Sequence, residues 1–143
     1  MSQVVIKNVD GITFVGHGKS RHWVAMDGSQ TFGGSEAATS PMELFLISLG
    51  GCTGMDVASL LKKMRVKIDK FEILINSERA EDHPKVYTRI DVKYRFWGNK
   101  LENEKAKIQK AISSSQDKYC SVSAMIKAAR IPLNHSYELL ESD

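Results

Sequence analysis

Five of the six residues in the run Leu44, Phe45, Leu46, Ile47, Ser48 and Leu49 are apolar. They follow a strong helix start. Ser40 can cap, Pro41 suits the first helical position, and Glu43 can reach back to the Ser40 N–H. The helix is predicted to run on to about Arg65, where Lys62, Lys63 and Arg65 complement its C-terminal dipole. A helix apolar on nearly every face must be covered on all sides. A chain of 143 residues and 16.0 kDa has little material for that. The helix is therefore expected to be shared with a second subunit.

Gly50-Gly51 falls inside this helix, just before Cys52. Each glycine costs about 1 kcal/mol relative to alanine there, which points to close backbone approach by another element or to a kink. Ahead of the helix, Val4–Ile6, Ile12–Gly16 and His22–Met26 read as a three-strand meander punctuated by Asp10-Gly11 and Asp27-Gly28. Thr31–Thr39 is a small-residue loop, expected to be mobile. After the helix, Phe71, Ile73 and Ile75 mark one strand. Val86, Thr88, Ile90, Val92, Tyr94 and Phe96 mark the inward face of a second. A helix from about Leu101 presents Leu101, Ile108, Ala111 and Ile112. A shorter one after Cys120 presents Val122, Met125, Ile126 and Ala129. His135–Leu140 closes the chain as a strand. The order βββ-α-ββ-αα-β is α+β, with helices on an antiparallel sheet, in one domain over residues 1–143.

Lys plus Arg number 20 against 17 Asp plus Glu, and the two signs are interleaved. That balance gives no footprint for nucleic acid or an anionic membrane. The N-terminus lacks the basic and apolar regions of a signal peptide, and the run 44–49 is far short of the roughly 20 residues a spanning helix needs. A cytoplasmic location is expected. Two cysteines are too few for a disulfide scaffold.

Those cysteines, Cys52 and Cys120, are the candidate reactive pair. Neither lies in a C-x-x-C, and the four histidines (His17, His22, His83 and His135) have no ligand spacing. No metal and no cofactor is expected. Cys120 lies at or near a helix N-terminus, where the dipole and free N–H groups favour a thiolate. Cys52 lies about three turns into its helix, beyond that influence, and needs a nearby cation or donors to ionise. Arg21 is nominated as that cation. Glu43 has two readings, the cap already described and a carboxylate that holds the arginine.

The stretches Ser40-Pro41-Met42-Glu43-Leu44 leading to Gly50-Gly51-Cys52, then Asp56, and later Lys118-Tyr119-Cys120-Ser121-Val122 resemble the OsmC/Ohr family, the osmotically inducible and organic hydroperoxide resistance proteins. His135-Ser136-Tyr137-Glu138 and Ser77-Glu78-Arg79 suit an OsmC-like branch of it. The resemblance implies an intertwined homodimer with active sites at the subunit interface. It also implies reduction of small hydroperoxides, with regeneration by an external dithiol. Cys52 matches the peroxidatic cysteine and Cys120 the resolving one. In the peroxidase branches a glutamate directly follows the proline. Here Met42 stands there and the acid comes one place later, which turns the carboxylate by about 100° around a helix. A non-enzymatic redox-sensing or ligand-binding protein on the same scaffold is therefore the alternative. A third reading takes both cysteines as core fillers.

Overall fold

The computed structural model describes residues 2–142; Met1 and Asp143, the ends of the expected domain, lie outside them. The chain divides into two compact units, residues 1–47 and 48–143.

In the first unit β1 (Val5–Asp10), β2 (Thr13–His17) and β3 (Val24–Met26) form the expected antiparallel meander. Gly11 turns the β1–β2 hairpin with φ +51°, a conformation glycine adopts without strain. The loop after β3 departs from the expected mobile segment, because Asp27 ties it down. Its carboxylate accepts from the Gly28 N–H (2.8 Å), the Ser35 N–H and hydroxyl (3.2 and 2.7 Å) and the Ala37 N–H (3.0 Å). These bonds hold the Asp27 carboxyl well below its ordinary range, at about 2.

Helix α1 (Pro41–Lys63) begins in the first unit and continues through the start of the second. The rest of the second unit comprises β4 (Lys70–Arg79), β5 (Tyr87–Trp97), α2 (Lys105–Ser114), α3 (Ser121–Ala128) and β6 (Leu133–Leu140). A 3-10 turn, Leu101–Glu104, leads into α2, and a π-helical turn, Ser115–Tyr119, joins α2 to α3. The element order is the one expected.

Two sheet details differ from the sequence reading. β4 and β5 are antiparallel, but β6 joins β5 in parallel. The chain between β5 and β6, occupied by α2 and α3, is the long crossover that a parallel pair requires. The inward face of β5 also changes side near its start. Glu78 pairs with Arg89, while Arg79 pairs with Tyr87, so Thr88 is an extra residue in a bulge. Tyr87 is consequently buried, and Val86 and Thr88 are exposed. Beyond the bulge the alternation holds, with Ile90, Val92, Tyr94 and Phe96 all buried.

Glycines 50 and 51 do not break α1. A Cβ on Gly50 would lie 3.3 Å from Ile75 Cδ1, and one on Gly54 would lie 3.2 Å from Ile73 Cδ1. The two glycines, one turn apart, let β4 approach the helix backbone. Gly51 faces open space. α1 buries Leu49, Thr53, Val57 and Leu61, each four residues on from the last. Each leucine and the valine contributes about 1.5–3 kcal/mol on burial. By length and composition α1 is apolar enough to cross a membrane, a property the run 44–49 alone does not reveal. Its buried stripe and its close packing on β4 make it a core helix instead.

The fully buried Ile108 and Ile112 of α2 and Ile126 of α3 complete the core. α2 presents the expected residues. In α3 the buried residues are Ser123 and Ile126; of the others expected inward, Val122 is half-buried, and Met125 and Ala129 are exposed.

Candidate functional site

α1 places Cys52 and Asp56 four residues apart, and therefore on one face. The chain brings Cys120 to them from 68 residues further on. The two sulfurs and a carboxylate oxygen of Asp56 all lie within 4.8 Å of one another. Cys52 and Asp56 are half-buried, whereas Cys120 is 2% exposed. Both cysteines are reduced.

The π-helical turn positions Cys120. Its N–H donates to the Ser115 carbonyl at 2.8 Å, five residues back, closing the turn. Cys120 then leaves the helical conformation and becomes the N-cap of α3, where its sulfur accepts from the Ser123 N–H at 3.4 Å. The widened turn leaves Ser115 and Gln116 pointing inward and buried.

These two residues belong to a hydrogen-bonded chain beneath the thiols. The Gln116 amide donates to the Tyr94 hydroxyl at 2.7 Å. Tyr94 and Thr53 share a bond of 2.6 Å, Thr53 and Ser115 one of 2.8 Å, and the Ser115 hydroxyl donates to Asp56 at 3.0 Å. The ends fix the direction, since an amide N–H only donates and a carboxylate only accepts. Tyr94 therefore donates to Thr53, and Thr53 to Ser115. Every hydroxyl both accepts and donates, and the chain terminates on the carboxylate beside the two sulfurs. Its hydroxyls are fully paired, which rigidifies the surroundings, while the Gln116 Oε1 is buried without a partner. Burial pushes the Tyr94 hydroxyl up from its ordinary value, against the pull of Thr53 and Gln116.

The electrostatics at Cys120 oppose the expectation from its helix terminus. Burial pushes its thiol up. The Ser123 hydroxyl and N–H pull it down, and the neighbouring Cys52 pushes it up again. The dipole contribution, about 0.3–1 kcal/mol, is outweighed by removal from water. Cys120 is thus the protected thiol and Cys52 the one open to solvent on its partly exposed side.

Arg21 and Glu43 belong to the first unit. Arg21 lies between β2 and β3 with a left-handed backbone (φ 60°), its N–H donating to the Gly18 carbonyl at 3.0 Å. Glu43 forms the capping box. Its carboxylate accepts from the Ser40 N–H at 2.8 Å and the Thr39 hydroxyl at 3.3 Å, and its own N–H donates to the Ser40 hydroxyl at 3.3 Å. The Ser40 bonds hold its carboxyl below the ordinary range.

Asp56, Thr53, Tyr94, Ser115 and Gln116 have no assigned role in the sequence reading. Only Asp56 carries a signal, its place in the family-like motif and its four-residue spacing from Cys52. The search for metal ligands by histidine and C-x-x-C spacing likewise passes over Cys52, Asp56 and Cys120, which together can face one cation.

Residues 33–136 match the family model described as OsmC-like protein. The chain is 37% identical over 138 residues to Protein YhfA of Escherichia coli (strain K12), covering 96% of this chain and 98% of that one. A crystal structure of a protein from Aquifex aeolicus VF5 superimposes with a TM-score of 0.82 at 30% identity, covering 100% and 98% of the two chains. An organic hydroperoxide resistance protein OsmC from Legionella pneumophila shares the fold, with a TM-score of 0.62 at 14% identity, covering 100% of this chain and 97% of that one.

Proposed function

This chain belongs to the OsmC-like protein family, and we propose that within it the protein is a thiol-dependent reductase of organic hydroperoxides. The observation that carries this reading is the approach of Cys52 to the buried Cys120, within 4.8 Å between sulfurs. A hydroperoxide resistance protein of the same fold supports the substrate class. Cys52, as thiolate, attacks the O–O bond, takes one oxygen as a sulfenic acid and releases an alcohol. The Cys120 thiol then condenses with the sulfenic acid, expelling water and forming a disulfide. The sulfurs must close to about 2.0 Å. An external dithiol reduces the bridge and is itself oxidised to a disulfide. Arg21 is proposed as the activating cation of the cycle, and Glu43 as the carboxylate that fixes the start of α1 through its capping box.

The two compact units are read as one OsmC-like domain over residues 1–143, since the family match crosses their boundary. The functional unit is a homodimer. Supporting it, Met55 is 73% exposed on the core helix, beside a shallow concavity lined by Gly50, Gly51, Gly54 and Ala58. A second copy would cover that surface. The cytoplasm, with its dithiol pool, is the compartment that suits a cycle of this kind.

Peroxide consumption by the reduced protein, with a bulky organic hydroperoxide and a dithiol donor, tests the reading. Turnover is expected, with Cys52→Ser abolishing it. Turnover no faster than that of a cysteine-free double variant would refute it. One observation favours the non-enzymatic alternative: the Glu43 carboxylate is engaged in the helix cap. A fast second-order reaction with hydroperoxide excludes that alternative.

A further inference from the structure

We propose that the reduced site binds one zinc ion per chain through Cys52 Sγ, Cys120 Sγ and an Asp56 carboxylate oxygen, and that zinc and the disulfide are mutually exclusive states of the same two sulfurs. The three donors come from two separate elements, α1 and the N-cap of α3, and already lie within 4.8 Å of one another. A tetrahedral zinc with S ligands at about 2.3 Å and O at about 2.0–2.2 Å needs them roughly 3.5–3.8 Å apart. Side-chain rotation of about 1 Å closes that difference.

The donor set also selects the metal. Two soft sulfurs and one oxygen suit zinc, whereas calcium and magnesium require shells of oxygen. Three protein ligands leave the fourth position to water, the arrangement of an open rather than a sealed site.

The supporting groups are those of a metal centre as well. The Ser115 hydroxyl donates to Asp56 at 3.0 Å and fixes its orientation, leaving the second carboxylate oxygen available. The Ser123 N–H donates to the Cys120 sulfur at 3.4 Å, and a donor to sulfur stabilises a bound thiolate. Half-buried Cys52 and Asp56 give an entry path from solvent. On binding, each thiol loses its proton to water and both sulfurs become ligands. When a hydroperoxide takes two electrons from the pair and leaves as alcohol and water, both sulfurs enter the disulfide and the metal leaves. Zinc would thus mask the dithiol from peroxide.

The proposal needs only the juxtaposition of the three donors and stands apart from hydroperoxide turnover. The test is titration of the anaerobically reduced full-length protein with Co²⁺, followed by displacement with Zn²⁺. One Co²⁺ per chain is expected, with the intense thiolate-to-metal absorption of sulfur ligation, and one Zn²⁺ should abolish that band. The oxidised protein, its fold checked by circular dichroism, should show no such band. Cys120→Ser should weaken binding at least tenfold, and Ser115→Ala by about 10–100-fold. Absence of the thiolate band in the reduced protein, or equal binding by the reduced and oxidised forms, would overturn the proposal. A protein that shows the band but no peroxide consumption would sink the reductase reading alone.

Discussion

Cys120 and Asp27 have their protonation pulled in opposite directions by what surrounds them. At Cys120, burial and the neighbouring Cys52 act upward, while Ser123 acts downward. Cys52→Ser removes one upward influence and leaves burial in place. The Cys120 thiol should therefore titrate lower in that variant than in the wild type. Ultraviolet thiolate absorbance against pH measures this, and an upward movement would contradict it. At Asp27 the sign is opposite. Four donated bonds depress its carboxyl from 3.8 to about 2. A depressed carboxyl stabilises the fold in full above the unfolded value and loses that contribution as pH falls through the folded one. The stability gap between wild type and Asp27→Asn should hold down to about pH 4, then shrink and close near pH 2. The Asp27 carboxyl resonance reports the same event, and a titration near 3.8 would contradict the loop-anchoring role.

At the scale of elements, the glycines of α1 divide by what faces them. Gly50 and Gly54 admit β4, with Ile75 and Ile73 against them, while Gly51 meets nothing within 4 Å. In a Met55→Lys background, where no second copy covers that face, Gly51→Ala should raise stability by about 0.5–1 kcal/mol in thermal or denaturant unfolding. Gly50→Ala should gain less, because Ile75 must shift. A Gly51→Ala protein less stable than Gly50→Ala would contradict this packing. Close approach at Gly50 is readable from its helical context, but the role of Gly54 is not, since a lone glycine does not name the strand it faces. The start of β5 fails for a related reason. Strict alternation placed Val86 and Thr88 inward, and the bulge at Thr88 exchanges the two faces. A bulge depends on the partner strand, which local periodicity does not report. The parallel pairing of β6 is equally a matter of crossover path rather than of composition.

For the whole molecule, the uncovered side of α1 decides the assembly. Met55, exposed on a core helix, predicts a particle of twice the 16.0 kDa chain mass. Light scattering should report that mass, and Met55→Lys should shift it toward the single chain. A monomer at working concentration would contradict the shared-helix reading. The candidate site was legible only where sequence carries chemistry in the residue type itself. Cys52 and Cys120 are the chain's only two cysteines and stand in motif context, and the structure unites them. Asp56 stood in the motif without a role, and the Tyr94–Thr53–Ser115 chain was not legible, because ordinary hydroxyls acquire a role only when folding stacks them beneath the thiols.

The most direct test of the dithiol account is a count of free thiols, with mapping of any bridge by mass spectrometry, after one equivalent of an organic hydroperoxide is added to the reduced protein. The account predicts loss of both thiols in every chain and a single disulfide joining Cys52 to Cys120. Two thiols remaining, or a Cys52 carried on to sulfinic acid while Cys120 stays free, would contradict it.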